Sequence, residues 1–229
     1  MFHDTIRIGT LVNGGATTAD YLRQILPHGF ESFSITFWQT VGEADLGKLA
    51  DEVQAVLAGS DAVISSLSVF GNPLLDDEAA ARTRASWAKL IDAAHLFGCD
   101  IVTGFTGRMI DTPIDQCIPR YTEVFTPLAE RAAGAGVRLA FENCDMGGTW
   151  NTGGWNIAHT PAAWELMFAA IPLDNIGLQW EPCHQLVKLI DPMPQLRQWV
   201  TKIFHVHGKD ATVYGDVVRR HGVFGPHPF

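Results

Sequence analysis

A chain of 229 residues that is 47% hydrophobic and 18% charged can bury one sizeable core, and it is read as one domain over residues 1–229. Its formal net charge of −9, with no run of Lys and Arg, argues against a nucleic-acid partner, and no apolar stretch approaches the ~20 residues of a membrane span. The opening MFHDTIRIGTLVNGG lacks the features of a secretion signal, and Cys99, Cys117, Cys144 and Cys183 form no CxxC pair, so free thiols and a cytoplasmic location are expected.

Along the chain, short β-branched apolar runs alternate with longer segments of helical period. Strands are expected at Ile6–Val12, Phe30–Trp38, Ala62–Phe70, Asp100–Gly107, Val137–Cys144, Asn175–Trp180 and Ile203–His207. Helices are expected between them at Thr18–Leu26, Asp45–Leu57, Asp77–Phe97, Ile114–Ala133, Pro161–Ala170 and Met193–Thr201, with Gly29, Gly59, Gly98 and Gly134 as C-terminal stops. Asp76 and Asp77 are placed at a helix start, where negative charge meets the positive end of the helix dipole.

Both an open doubly wound α/β sheet and a closed barrel produce this alternation. Polar residues sit at the C-terminal ends of the late strands, where a barrel gathers its active site, and the first βα turn, Val12-Asn13-Gly14-Gly15-Ala16, is no GxGxxG. The expected fold is therefore an α/β (β/α)8 TIM barrel. Such a barrel has eight strands and typically ~250 residues. Seven are found, and the chain stops in the loop-like stretch His221–Phe229, so the last βα unit is expected to be absent: either the sequence is cut short, or the barrel is open and something else closes it.

Three strand ends carry chemistry. Arg138-Leu-Ala-Phe-Glu142-Asn143-Cys144 turns from apolar to charged before a Gly-rich loop, and a carboxylate there is costly without a cation or metal. Ile176-Gly-Leu-Gln-Trp-Glu181-Pro182-Cys183-His184 ends in a carboxylate, and Pro182 forces a turn that can return His184 to the same mouth. Lys202-Ile-Phe-His205-Val-His207-Gly-Lys209-Asp210 places two histidines two apart, hence on one face. Imidazole mixed with carboxylate oxygens suits one borderline-hard divalent ion, Mn first, with Mg, Zn, Co or Fe as alternatives. The bland readings are a solvated strand end for Glu142, a loop-pinning Glu–His bond for Glu181 and His184, and packing for the two histidines.

Other features carry less. His3, His28, His95, His159, His221 and His227 are assigned no specific role. Trp38, Trp150, Trp155 and Trp180 offer flat rings that could cover a sugar face or fill core; Trp150 and Trp155, in or beside the Gly-rich loop, are taken with His184 and His205 as substrate-binding candidates. Cys183 has no accompanying oxyanion-hole motif to make it a nucleophile.

At these strand ends the sequence resembles the xylose isomerase-like barrel superfamily, in particular its sugar phosphate isomerase/epimerase proteins, over Ile6 to Asp210. The family pattern is Glu-Asn on the fifth strand, Asp-x-x-His on the sixth, a His-x-His-x-Lys-Asp-like segment on the seventh and Glu on the eighth. Glu142-Asn143 and His205-Val206-His207-Gly208-Lys209-Asp210 match it, Glu181 stands where Asp is usual, and the eighth-strand Glu has no counterpart. The resemblance implies Glu142, Glu181 and His207 as metal ligands, Glu142 also as base, and His184 as a contact to substrate or metal. Lys209 is a candidate for oxyanion stabilisation, or else pairs with Asp210 or another neighbour.

The function so implied is a divalent-metal-dependent sugar isomerase or epimerase, transferring protons beside a carbonyl through an enediolate. The alternatives are a metal-dependent lyase or dehydratase on 3-oxo-glycosides, C-glycosides included, or inososes, and a non-catalytic degenerate barrel subunit. Apurinic endonuclease is disfavoured because the second and third strands lack histidine. The expected partner is a small sugar-like substrate, with a homo-oligomer or partner subunit compatible.

Overall fold

The computed structural model describes residues 6–228, so His3 lies outside the described residues. Seven strands and eight α-helices occur among them. They are β1 Gly9–Asn13, α1 Thr18–Ile25, β2 Ser32–Phe37, α2 Leu46–Leu57, β3 Val63–Val69, α3 Glu78–Ala93, β4 Ile101–Gly104 and α4 Ile114–Gly134. There follow β5 Arg138–Glu142, α5 Pro161–Ala170, β6 Ile176–Trp180, α6 Cys183–Leu186, α7 Pro192–Trp199, β7 Ile203–Val206 and α8 Gly215–His221. The strands form one parallel sheet in the order β1-β2-β3-β4-β5-β6-β7, the curled wall of a TIM barrel without its last unit.

Local chemistry sets most of these boundaries. Asp45, Asp77, Thr160 and Asp191 cap α2, α3, α5 and α7 by accepting from backbone N–H groups of the first turn, and Pro161 and Pro192 open their helices where no donor is needed. Of the paired aspartates only Asp77 caps; Asp76 instead pairs with Arg120 of α4. Gly29 and Gly98 end helical segments in the left-handed region as expected, but α4 runs through Gly134 and the left-handed stop falls at Gly136.

Strands are shorter than their apolar runs. β1 starts at Gly9 rather than Ile6, because a strand needs a ladder as well as a pattern, and β4 ends at Gly104 rather than Gly107. Two helices carry no strong apolar period, α6 and α8, and the sequence reading passed over both. The expected helix Met193–Thr201 divides into α7 and a 3-10 turn, Val200–Lys202.

Large aromatic side chains are buried together where α3 and α4 cover the sheet. Trp87, Tyr121, Phe125 and Phe141 are all buried there, with Phe125 and Phe141 edge to face at 4.9 Å between ring centroids. The opposite limit is the pair of outer strands. Among the described residues no strand bridges β7 to β1, and Ile6, Ile8, Leu11 and Val206 are exposed along that opening.

Candidate metal and active site

Glu142 ends β5, Glu181 follows β6, His184 sits on α6, and His205 and His207 lie on and just after β7. Adjacent strands therefore deliver all five to the C-terminal mouth of the sheet. The cavity there, about 760 Å³, is lined by Glu142, Glu181, His205, His207 and Lys209 and extends to Gly9, Thr10 and Leu11 across the opening between β7 and β1.

Glu181 is the hub. Its Oε1 accepts from His184 Nε2 at 3.1 Å, Lys209 Nζ at 3.0 Å and Cys183 Sγ at 2.7 Å, while its Oε2 lies 3.3 Å from His207 Nδ1. Burial alone would raise its pKa, but those four partners outweigh it and hold the carboxyl well below the usual carboxylate range. Burial would likewise lower the pKa of His184; contacts with Cys144, Glu142 and Glu181 instead push it up to about 12. Lys209 thus pairs with Glu181 and not with its neighbour Asp210.

Glu142 is buried yet takes no hydrogen bond on its carboxylate among the described residues, its nearest cation being His184 Nε2 at 3.8 Å. His207 Nε2 is buried and has no partner among the described residues. Donor atoms of Glu142, Glu181 and His207 lie within 4.8 Å of one another. Two carboxylates and an imidazole so placed, with one carboxylate and one ring nitrogen under-satisfied, fit a divalent ion.

His205 reaches into the barrel. Its Nδ1 lies 3.2 Å from Gln179 Nε2 and its Nε2 lies 3.2 Å from Ser65 Oγ. Burial, followed by the neighbouring His207, pushes its pKa down to about 4, so the ring is neutral. Both contacts depend on irregular pairing: Phe33 and Ser34 pair with Ile64 and Ser66, leaving Ser65 as the extra residue, and Leu178 and Gln179 pair with Ile203 and His205, leaving Phe204.

Several positioning residues escaped the sequence reading. Asn143 makes a reciprocal pair with the Glu181 backbone, Nδ2 donating to its carbonyl at 3.0 Å and Oδ1 accepting from its N–H at 2.7 Å, which locks the ends of β5 and β6 together. Asn156 Nδ2 donates to the carbonyls of Glu142 and Cys144, each at 2.7 Å, while its Oδ1 accepts from Thr106. Arg108, fully buried, donates to the carbonyls of Thr112, Thr149 and Trp150 and so pins the Gly-rich loop. Asn143 is visible in the sequence only as the second residue of the Glu-Asn motif, Asn156 only as a polar residue in the loop after β5, and Arg108 carries no signal.

Trp150 and Trp155 do not line the cavity. Trp155 packs on Trp38 at 6.0 Å between ring centroids, and Trp150 faces a separate pocket with Asp145, His159 and Lys188. Trp180 is buried core. Cys183 is held in the opposite of an activated state, with burial and then Glu181 pushing its thiol up to about 11. His28, His95, His221 and His227 are exposed, whereas His159 is buried with both ring nitrogens unpartnered among the described residues. No helix among the described residues is long and apolar enough to cross a membrane.

Comparison with solved structures finds the same fold in an L-ribulose 3-epimerase, with a TM-score of 0.70 and 21% identity over 89% of this chain and 69% of that one. A 3-keto-D-glucoside 4-epimerase from E. coli matches with a TM-score of 0.71 and 14% identity over 93% and 88%. The probable 3-DHS dehydratase AsbF of Bacillus anthracis matches with a TM-score of 0.65 and 14% identity over 96% and 78%. No curated protein matches the sequence. The family model described as xylose isomerase-like TIM barrel matches residues 22–227, and with the seven-stranded wall and its polar mouth this establishes that the chain belongs to the xylose isomerase-like TIM barrel family.

Proposed function

We infer that the protein is a metal-dependent sugar isomerase or epimerase that moves a proton on the carbon beside a carbonyl. The observation that carries this reading is the pair of buried carboxylates, Glu142 and Glu181, brought with His207 into one open cavity with donor atoms within 4.8 Å. Glu142, Glu181 and His207 would hold the ion, Mn first, which when bound polarises the carbonyl and the adjacent hydroxyl of a sugar.

The chain's own groups divide the remaining work. Glu142, whose carboxylate accepts no hydrogen bond among the described residues, takes the proton from the carbon beside the carbonyl; isomerisation delivers it to the former carbonyl carbon, and epimerisation takes a proton from a donor on the opposite face of the enediolate. His184, charged between two carboxylates, donates to a substrate oxygen, and Lys209 leaves Glu181 to balance negative charge as the enediolate forms. Neutral His205, oriented by Gln179 and Ser65, contacts a substrate hydroxyl. Structural neighbours named as sugar epimerases support the substrate class.

Elimination is a second reading, favoured by the size and openness of the cavity, which has room for a substituent beyond the sugar ring. The same proton abstraction then expels a group from the β-carbon. The test is incubation of the metal-loaded protein with keto-sugars in D2O. Isomerisation or epimerisation conserves the carbon skeleton and introduces deuterium beside the carbonyl, whereas elimination releases a fragment. Glu142→Gln should lower either rate by roughly 10³-fold. Turnover in that variant equal to wild type removes Glu142 as the base.

A further inference from the structure

One thiol at the mouth has no part in this chemistry. Cys144 is two residues beyond Glu142, and its sulfur, a Glu142 oxygen and a His184 ring nitrogen lie within 4.8 Å of one another. Their backbones are tied in place. Asn156 holds the carbonyls of Glu142 and Cys144, and Lys188 donates to the His184 carbonyl at 2.8 Å while pairing with Asp145, the residue after Cys144, at 3.0 Å. Donors held by such outer contacts need little rearrangement to ligate.

The other cysteine beside His184 does not fit an ion. Cys183 Sγ is 2.7 Å from Glu181 Oε1, a thiol donating to a carboxylate. Two ligands of one tetrahedral ion, with metal–sulfur and metal–oxygen bonds near ~2.3 and ~2.0 Å, stand roughly 3.5 Å apart. Cys144 makes no such contact with either carboxylate.

We propose that Glu142, Cys144 and His184 form a second divalent-cation position, selective for thiophilic ions such as Zn2+ and Co2+, beside the position of Glu142, Glu181 and His207. It rests on Glu142 being a metal ligand, as in the reading above. On binding, the Cys144 S–H bond and one His184 N–H bond break, both protons pass to solvent, and the sulfur and the freed ring nitrogen form bonds to the ion. Thiolate and imidazole favour Zn2+ and Co2+, while Mg2+ and Mn2+ prefer all-oxygen or carboxylate–imidazole sets, so the two positions differ in which ion they accept.

The experiment is titration of the metal-free full chain with Co2+, following near-ultraviolet thiolate-to-cobalt charge transfer together with bound cobalt by equilibrium dialysis. The expected result is charge transfer at saturation with about two ions per chain. Cys144→Ser should lose the band and keep about one ion, Cys183→Ser should keep both, and His207→Ala should keep the band while losing the other ion. Mn2+ should reach only about one per chain. One bound cobalt without charge transfer, or a band that survives Cys144→Ser, overturns this proposal and leaves the first site standing. No bound metal of any kind overturns both.

Discussion

The wall formed by β5, α3 and α4 and the opening between β7 and β1 both carry large apolar side chains, yet they differ in how far those side chains are buried. Phe141 and Phe125 are wholly enclosed, each meeting both Trp87 and Tyr121, edge to face for Trp87–Phe125 and Tyr121–Phe141 and tilted for the other two pairs. Leu11 on β1 is 48% exposed and Val206 on β7 is 51% exposed, because each strand has a neighbour on one side only. Hydrophobic character therefore says that a residue can be buried, and neighbours decide whether it is. The site sits on the boundary: its carboxylates come from the enclosed strands, and His207 and Lys209 follow the open one.

Phe141→Ala attacks the enclosed side and should cost about 3–5 kcal/mol in chemical denaturation, through lost transfer energy and the cavity left behind. A loss below ~1 kcal/mol would mean that the wall collapses readily around the gap. His159 gives an intermediate case, buried but without a hydrogen-bond partner. Burial, largest among its causes, followed by the charge of Lys188, pushes its pKa down from 6.5 to about 4. A histidine with a depressed folded-state value is most favourable to folding when neutral, so its contribution is present above pH 6.5 and lost as pH falls towards 4. Across that window the loss amounts to roughly 3 kcal/mol at most, and His159→Gln should flatten the acid side of a stability–pH profile by up to one proton. An unchanged profile would show that the ring is protonated or hydrated in solution.

The smallest effects belong to the opening. Leu11→Thr and Val206→Thr should each shift unfolding free energy by no more than ~0.5 kcal/mol, as at other exposed positions. If either costs more than ~2 kcal/mol, the strand edge is covered in solution, and self-association in analytical ultracentrifugation at rising concentration would then identify a second copy as the cover.

Much of this architecture can be read along the chain. Strict alternation of apolar runs and helical segments, with glycine stops and an aspartate pair at one helix start, places seven strands and the major helices because those signals are local. The same holds for the ligand candidates Glu142, Glu181, His184 and His207, since charged groups at the ends of apolar strands are costly unless something balances them. The tryptophans of the Gly-rich loop were misplaced for the complementary reason. A long loop has no period from which its direction can be read, and Arg108, remote in sequence, holds the Trp150 backbone carbonyl in place.

Sequence by itself determined the element order, the parallel wall and the family, because these are written in spacing and motif, and it named candidate residues for the proposed metal and proton chemistry. Tertiary structure alone decided how those residues meet. The bulges at Ser65 and Phe204 that bring Ser65 and Gln179 onto His205, the Asn143 and Asn156 clamps, the pairing of Lys209 with Glu181 and the nearness of Cys144 to His184 all join strands or loops far apart in the chain. Such contacts follow from register and packing, which no local pattern of residues encodes.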